Sequence, residues 1–158
     1  MFSVTIEGEA ELERDWGKAC SVIRIGLARG VSRGVKEGAA EARSKHSFTS
    51  RSRALEESIT GVSLGWAESG NRYSGIIRAA AKHASFVEYD TKPHVIVVRR
   101  ASWLHWEEPQ GDHHFAKRVW HPGTKAQPYM FLAFYKCERI MILEVEAGIR
   151  QAQAVLDS

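Results

Sequence analysis

Apolar positions along this chain change period several times, and each change marks an element. Phe2, Val4 and Ile6 alternate with Ser3, Thr5 and Glu7, a period of two that predicts a short strand or extended arm over residues 1–8. From Glu9 to Ser44 the spacing becomes three and four. Leu12, Trp16, Ala19, Ile23, Leu27, Val31 and Val35 form the stripe of a long amphipathic helix. On the same stretch Gly26, Gly30, Gly34 and Gly38 recur every four residues. Each glycine costs a helix interior about 0.8–1 kcal/mol against alanine, and the four together about 3 kcal/mol. Either the second half of the helix is broken, or the glycines make a smooth ridge on which another backbone, such as a neighbouring subunit, packs closely. Packing is the reading adopted, with Gly30 and Gly34 as interface candidates.

Residues 44–54 are polar and basic without periodicity, which predicts an exposed loop. Leu55–Ala67 and Tyr73–Ala81 read as two strands joined by a turn at Glu68–Arg72, with a short helical piece over Ala79–Val87. His94–Arg99 is a β-branched run. Ser102–Trp106 and Phe115–Trp120 are further strand candidates around a polar loop at 107–114. Pro128–Leu156 is one long helix in which Met130, Phe134, Cys137, Met141, Val145, Ile149, Ala152 and Leu156 make the stripe. Two long helices flanking four to five antiparallel strands predict a single α+β domain over residues 1–158, with the helices on one face of the sheet.

Between the last strand candidate and the last helix lies His121-Pro122-Gly123-Thr124-Lys125-Ala126-Gln127-Pro128. Pro122 biases His121 away from helical backbone and Gly123 frees φ, so a strand must end here. Pro128 can open a helix because the first turn has no use for its missing N–H. His121, Pro122, Gly123, Thr124 and Pro128 are therefore read as a structural junction.

At 158 residues with 44% hydrophobic and 26% charged content, the chain is long enough to bury a core and has an ordinary globular mixture. The formal charge of +3 is mild, so attraction to nucleic acid would need a local patch. Arg43, Lys45, His46, Arg51 and Arg53 supply the best candidate, but with Phe48 the one aromatic among them the aromatic interleaving of a single-strand binder is nearly missing, and a solvated loop is the preferred reading. Cys20 and Cys137 both fall in helical patterns and are expected as buried thiols in a reducing cytoplasm. The first residues do not resemble a signal peptide, and no run has the apolar length of a membrane span, so a soluble protein is expected.

Seven histidines raise a metal hypothesis, above all His105, His113, His114 and His121 with Glu107, Glu108 and Asp112 nearby. Neither HExxH nor paired CxxC spacing is present. Nucleophile elbows and phosphate-cradling loops are also missing. The expectation is therefore no catalytic, metal or cofactor residue, with a metal-dependent hydrolase built on the histidine loop as the distant alternative. Trp103 and Trp106, three apart, should face opposite sides of a strand, one in the core and one partly exposed, which makes Trp106 a candidate for an assembly surface.

Three segments carry a resemblance: Arg53-Ala54-Leu55-Glu56-Glu57-Ser58-Ile59, Ala84-Ser85-Phe86-Val87-Glu88-Tyr89-Asp90-Thr91-Lys92-Pro93-His94, and Val119-Trp120-His121-Pro122-Gly123-Thr124-Lys125-Ala126-Gln127-Pro128-Tyr129-Met130. In this order they are similar to a family of minor tail or neck proteins of long-tailed bacteriophages, over about residue 10 to the C-terminus. Asp90 departs from the glycine usual there, so its turn must hold a side chain in left-handed backbone. The resemblance implies a non-enzymatic subunit of a ring, commonly hexameric, at the head–tail junction of the virion. There a tail terminator or tail-completion protein would join tail tube to head connector; a connector-side stopper of the same neck is the alternative. DNA would pass through the lumen without tight binding. Arg51 and Arg53 would then be candidates for partner contact.

Overall fold

A computed structural model describes residues 9–50, 52–108 and 110–157. The elements run α1 (Glu9–Ser44), α2 (Ala54–Ser58), β1 (Ile59–Trp66), β2 (Tyr73–Ala79), α3 (Ala84–Tyr89), β3 (His94–Val97), β4 (Leu104–Glu107), β5 (His113–Ala116), β6 (Arg118–His121) and α4 (Met130–Leu156). The α+β class and the two long helices agree with the sequence pattern. The six strands pair as three antiparallel two-stranded ribbons, β1–β2, β3–β6 and β4–β5, where a single sheet of four to five strands was expected. The expected N-terminal arm over residues 1–8 lies outside the described residues. Two compact units divide the chain: one combines the residues up to Ala81 with those from Tyr129 onward, and the other is Lys82–Pro128.

In the first unit the glycine row of α1 explains the packing. A Cβ on Gly38 would come within 2.7 Å of the Ala133 carbonyl oxygen, and one on Gly34 within 2.9 Å of Cys137 Sγ. On Gly30 it would meet Met141 and Glu144 at 3.3 Å, and on Gly26 the Gly148 Cα at 3.2 Å. The partner number falls as the glycine number rises, so α4 runs antiparallel along the ridge with backbones nearly touching. Close dispersion contact along this seam offsets the helix cost of the glycines. The element packed on the ridge is thus a helix of the same chain, and the helix is unbroken from Glu9 to Ser44.

The β1–β2 ribbon lies on α1 by the same device. A Cβ on Gly61 would collide with the Val35 carbonyl oxygen, and one on Gly75 would sit 2.8 Å from a Val35 methyl. Val31, Val35 and Cys137 form the buried centre, with Tyr73, Ile77 and Met141 packed against it. The predicted hairpin turn is closed by the Ala67 N–H to Arg72 carbonyl bond at 2.8 Å, with Gly70 at φ +68.

Several boundaries need correction. Residues 54–58 are helical where a strand was expected from Leu55, because Ala-Leu-Glu-Glu favours helix; the strand begins at Ile59. The short helix lies at Ala84–Tyr89, later than the expected Ala79–Val87. Phe115–Trp120 is broken at Lys117 into β5 and β6, which pair with different strands. Pro128 precedes the N-cap Tyr129 and does not itself start α4. Cys137 is buried but Cys20 is exposed, against expectation. On the expected stripes, Leu12 and Trp16 of α1 and Phe134, Ile149 and Leu156 of α4 are exposed, Cys137 and Ala152 are buried as expected, and the small residues Ala133 and Gly148 off the stripe are buried too.

Candidate interaction surfaces

The second unit is built where the two longer motif segments meet. Thr91 and Thr124 exchange backbone hydrogen bonds at 3.1 and 3.2 Å, and the Thr124 N–H also reaches Thr91 Oγ1 at 2.9 Å. The Gln127 N–H donates to the Val87 carbonyl at 2.8 Å, and His94 lies opposite His121 in the β3–β6 register. Gly123, at φ +87, is required twice over, because a Cβ there would also collide with the Thr91 carbonyl oxygen. Its N–H donates to His121 Nδ1 at 3.1 Å, which makes that nitrogen the unprotonated one. His121, Gly123 and Thr124 thus come together with the 84–94 segment. Pro122 and Pro128 are exposed and complete the run between β6 and α4. Asp90 has φ 104 and ψ 172, an extended mirror-image conformation that is almost the preserve of glycine, not the left-handed turn expected of it.

Little of this unit is buried: among its described residues only Ala84 is. Val95 and Trp120 face each other across β3–β6, with Val97 two residues along on the same face, and all three are exposed, Trp120 by 65%. Trp106 stacks on His114 at 5.2 Å and lines a cavity of about 360 Å³ with Ile96, Leu104, His105, Val119 and His121. Trp103 precedes β4 and lies under Lys117 Nζ at 5.1 Å. Both tryptophans are exposed, where one was expected in the core.

The histidine loop resolves into pairs. His105 Nε2 and His113 Nδ1 are 3.0 Å apart, and His114 Nε2, shielded from solvent, lies 3.2 Å from Glu108 Oε1 without hydrogen-bond geometry. Among the described residues, no three histidine, cysteine, aspartate or glutamate side chains converge so as to hold a metal ion.

The basic segment of the first unit is less free than its composition suggests. Arg43 donates to the Ile59 carbonyl at 2.9 Å, and Lys45 pairs with Glu41 at 3.0 Å. His46 stacks on Phe48 with centroids 3.7 Å apart, and Phe48 meets the buried Tyr129 edge-on at 5.6 Å. His46 Nε2 lies 3.5 Å from buried Glu56. A hydrogen bond from Ser50 holds the Glu56 carboxyl below the usual range against the opposing effect of burial, with its own backbone N–H, His46 and Arg53 assisting. Arg53 is exposed, with φ 57, and Arg51 lies outside the described residues. Gly30 and Gly34 face α4 inside the unit.

One surface escaped the periodicity reading. Phe131, Tyr135 and Ile142 on α4, none of them on the expected stripe, are exposed on the side away from the glycine seam, together with Ile149. The available signal was that α4 is apolar nearly all round, which one buried stripe does not explain.

No helix among the described residues is long and apolar enough to cross a membrane. Comparison with protein-family models, with curated proteins and with solved structures finds no match for this chain.

Proposed function

We propose that the chain is a subunit of a homo-oligomeric ring, a hexamer, at the head–tail junction of a long-tailed bacteriophage. In this reading it is a tail terminator or tail-completion protein, joins tail tube protein to the head connector or stopper protein, resides in the virion, and lets DNA through its lumen without tight binding. The observation that carries the reading is the row Val95, Val97 and Trp120, open to solvent on a ribbon of only two strands. An isolated two-stranded ribbon is marginal in water, and a contiguous exposed apolar face marks an interaction site. Covering such faces with further copies of the same chain supplies what the unit lacks. The junction motif supports the same reading, since its two segments interlock at Thr91 and Thr124.

Negative-stain electron microscopy of the purified chain tests this: rings with a central hole and one rotational symmetry are expected. In cells infected by a phage lacking the gene, heads and tails should accumulate unjoined, with tails of irregular length. Normal particles without the gene, or a chain that stays monomeric at high concentration, would overturn the proposal. Full-length tails beside heads that lose their DNA would instead favour the connector-side stopper.

A further inference from the structure

We propose that the outward face of α4 pairs two-fold with the same face of a second copy, antiparallel, about an axis at Ile142. The face is a stripe spaced by fours and threes: Tyr135, Arg139, Ile142, Glu146 and Ile149. Its order is apolar, basic, apolar, acidic, apolar, and it reads the same in both directions about Ile142 except that the charges exchange. An antiparallel copy therefore sets Tyr135 against Ile149, Arg139 against Glu146 and Ile142 against itself, with each unlike pair formed twice. This self-complementarity is what an isologous contact requires.

Both charges are available for it. Arg139 makes no ion pair among the described residues, and Glu146 has only a 3.9 Å approach to Arg150. Tyr135, Ile142 and Ile149 are 53%, 51% and 42% exposed, and Tyr135, Arg139 and Ile142 share a shallow depression of about 330 Å³. With an aromatic side chain burying about 150–250 Å² in full, half-exposed residues of this kind offer roughly 500 Å² per copy, below the standard of about 800 Å². An interface of this size is in the weak, reversible class. A two-fold contact does not close a ring, so this pairing goes beyond the neck reading and stands apart from it.

The test is sedimentation velocity on the full chain carrying Cys20→Ser, which removes the exposed thiol, over a concentration series spanning about 1–200 µM. Arg139→Glu and Glu146→Arg should each weaken the two-fold association at least ~10-fold, and the double exchange should restore it. Unchanged circular dichroism confirms that the variants fold, as exposed positions should allow. Ile142→Cys in the same background should form a disulfide-linked dimer under mild oxidation, because that residue sits on the axis. No two-fold association in the parent, no rescue by the double exchange, or no cross-link at residue 142 would each overturn the pairing. Rings that survive Arg139→Glu leave the neck reading standing; pairing without rings sinks that reading alone.

Discussion

The first unit and Lys82–Pro128 meet the same requirement, covering apolar surface, in opposite ways. In the first, glycines at 26, 30, 34, 38, 61 and 75 let α4 and the β1–β2 ribbon press onto α1 so closely that an added methyl would be tight at 26 and 30 and would clash at 34, 38, 61 and 75. In the second, the chain is held by backbone exchange at Thr91 and Thr124 and by two short ribbons, and its large side chains point into solvent. One unit buries a core of its own around Val31, Val35 and Cys137, although the outward face of α4 stays open. The other has geometry without a core, and such a unit is completed by binding. Stability and assembly are therefore expected to depend on different residues.

The largest effect should come from Gly61→Ala. The new Cβ meets the Val35 carbonyl oxygen of α1, a backbone atom that cannot rotate away, so the ribbon must lift off the helix. Overpacking of this kind costs about 3 kcal/mol or more. Gly17→Ala is the contrast within α1: nothing lies within 4 Å of the new methyl, and the helix should gain about 0.8–1 kcal/mol. Urea denaturation of both variants decides it. A Gly61→Ala chain as stable as the parent would mean the seam is not tight, and the contrast between the units would fail.

How much of this was legible depended on whether the pattern had one solution. The stretch from Glu9 to Ser44 carries one apolar stripe and one glycine row, and α1 is helical throughout it and ends at Ser44 as read. In α4 the apolar residues go round the helix, so periodicity placed Cys137 and Ala152 correctly but also chose Phe134 and Ile149, while packing chose Ala133 and Gly148, whose small size permits close approach. Ribbon pairing was illegible because Phe115–Trp120 carries no turn residue at Lys117, where the chain passes from β5 to β6. At the junction, Pro122 and Gly123 announced a stop, but the Thr91–Thr124 bridge joins residues 33 apart and leaves no local signal.

Asp90 offers an intermediate effect, in the second unit. Its φ of 104 with ψ of 172 strains any residue with a Cβ by about 1–3 kcal/mol, so Asp90→Gly should stabilise locally by about 1 kcal/mol after the flexibility of glycine is discounted. Hydrogen exchange at the Thr91, Thr124 and Gln127 amides should slow by a factor of about 5. Faster exchange there would show that the carboxylate makes a contact worth more than the strain.

Acid should act on the first unit through Glu56. Its pKa is lowered from 4.5 on folding, chiefly by the Ser50 hydrogen bond, so the folded state binds the proton less tightly than the unfolded chain. The stability it contributes is fully present above the unfolded value and is lost as pH falls through the folded one. Glu56→Gln should therefore lower the melting temperature at neutral pH and flatten its decline below about pH 4.5. Parallel melting curves for the two proteins from neutral to acid pH would show that the carboxylate contributes nothing.

The smallest effect on stability belongs to the residue with the largest expected effect on assembly. Trp120, 65% exposed, has Val95 as its cross-strand neighbour, and removing an exposed side chain away from caps, cavities and networks changes stability by less than about 0.5 kcal/mol. Trp120→Ser should thus melt with the parent. If the β3–β6 face is where another copy sits, the same change removes an aromatic group from the middle of an interface, where such residues carry much of the binding energy. The expected result is an unchanged melting temperature measured on dilute monomer, together with a shift from ring to monomer by light scattering at high concentration. Loss of stability in the dilute monomer would mean that the second unit has a core of its own around Trp120, and the difference between the two units would disappear.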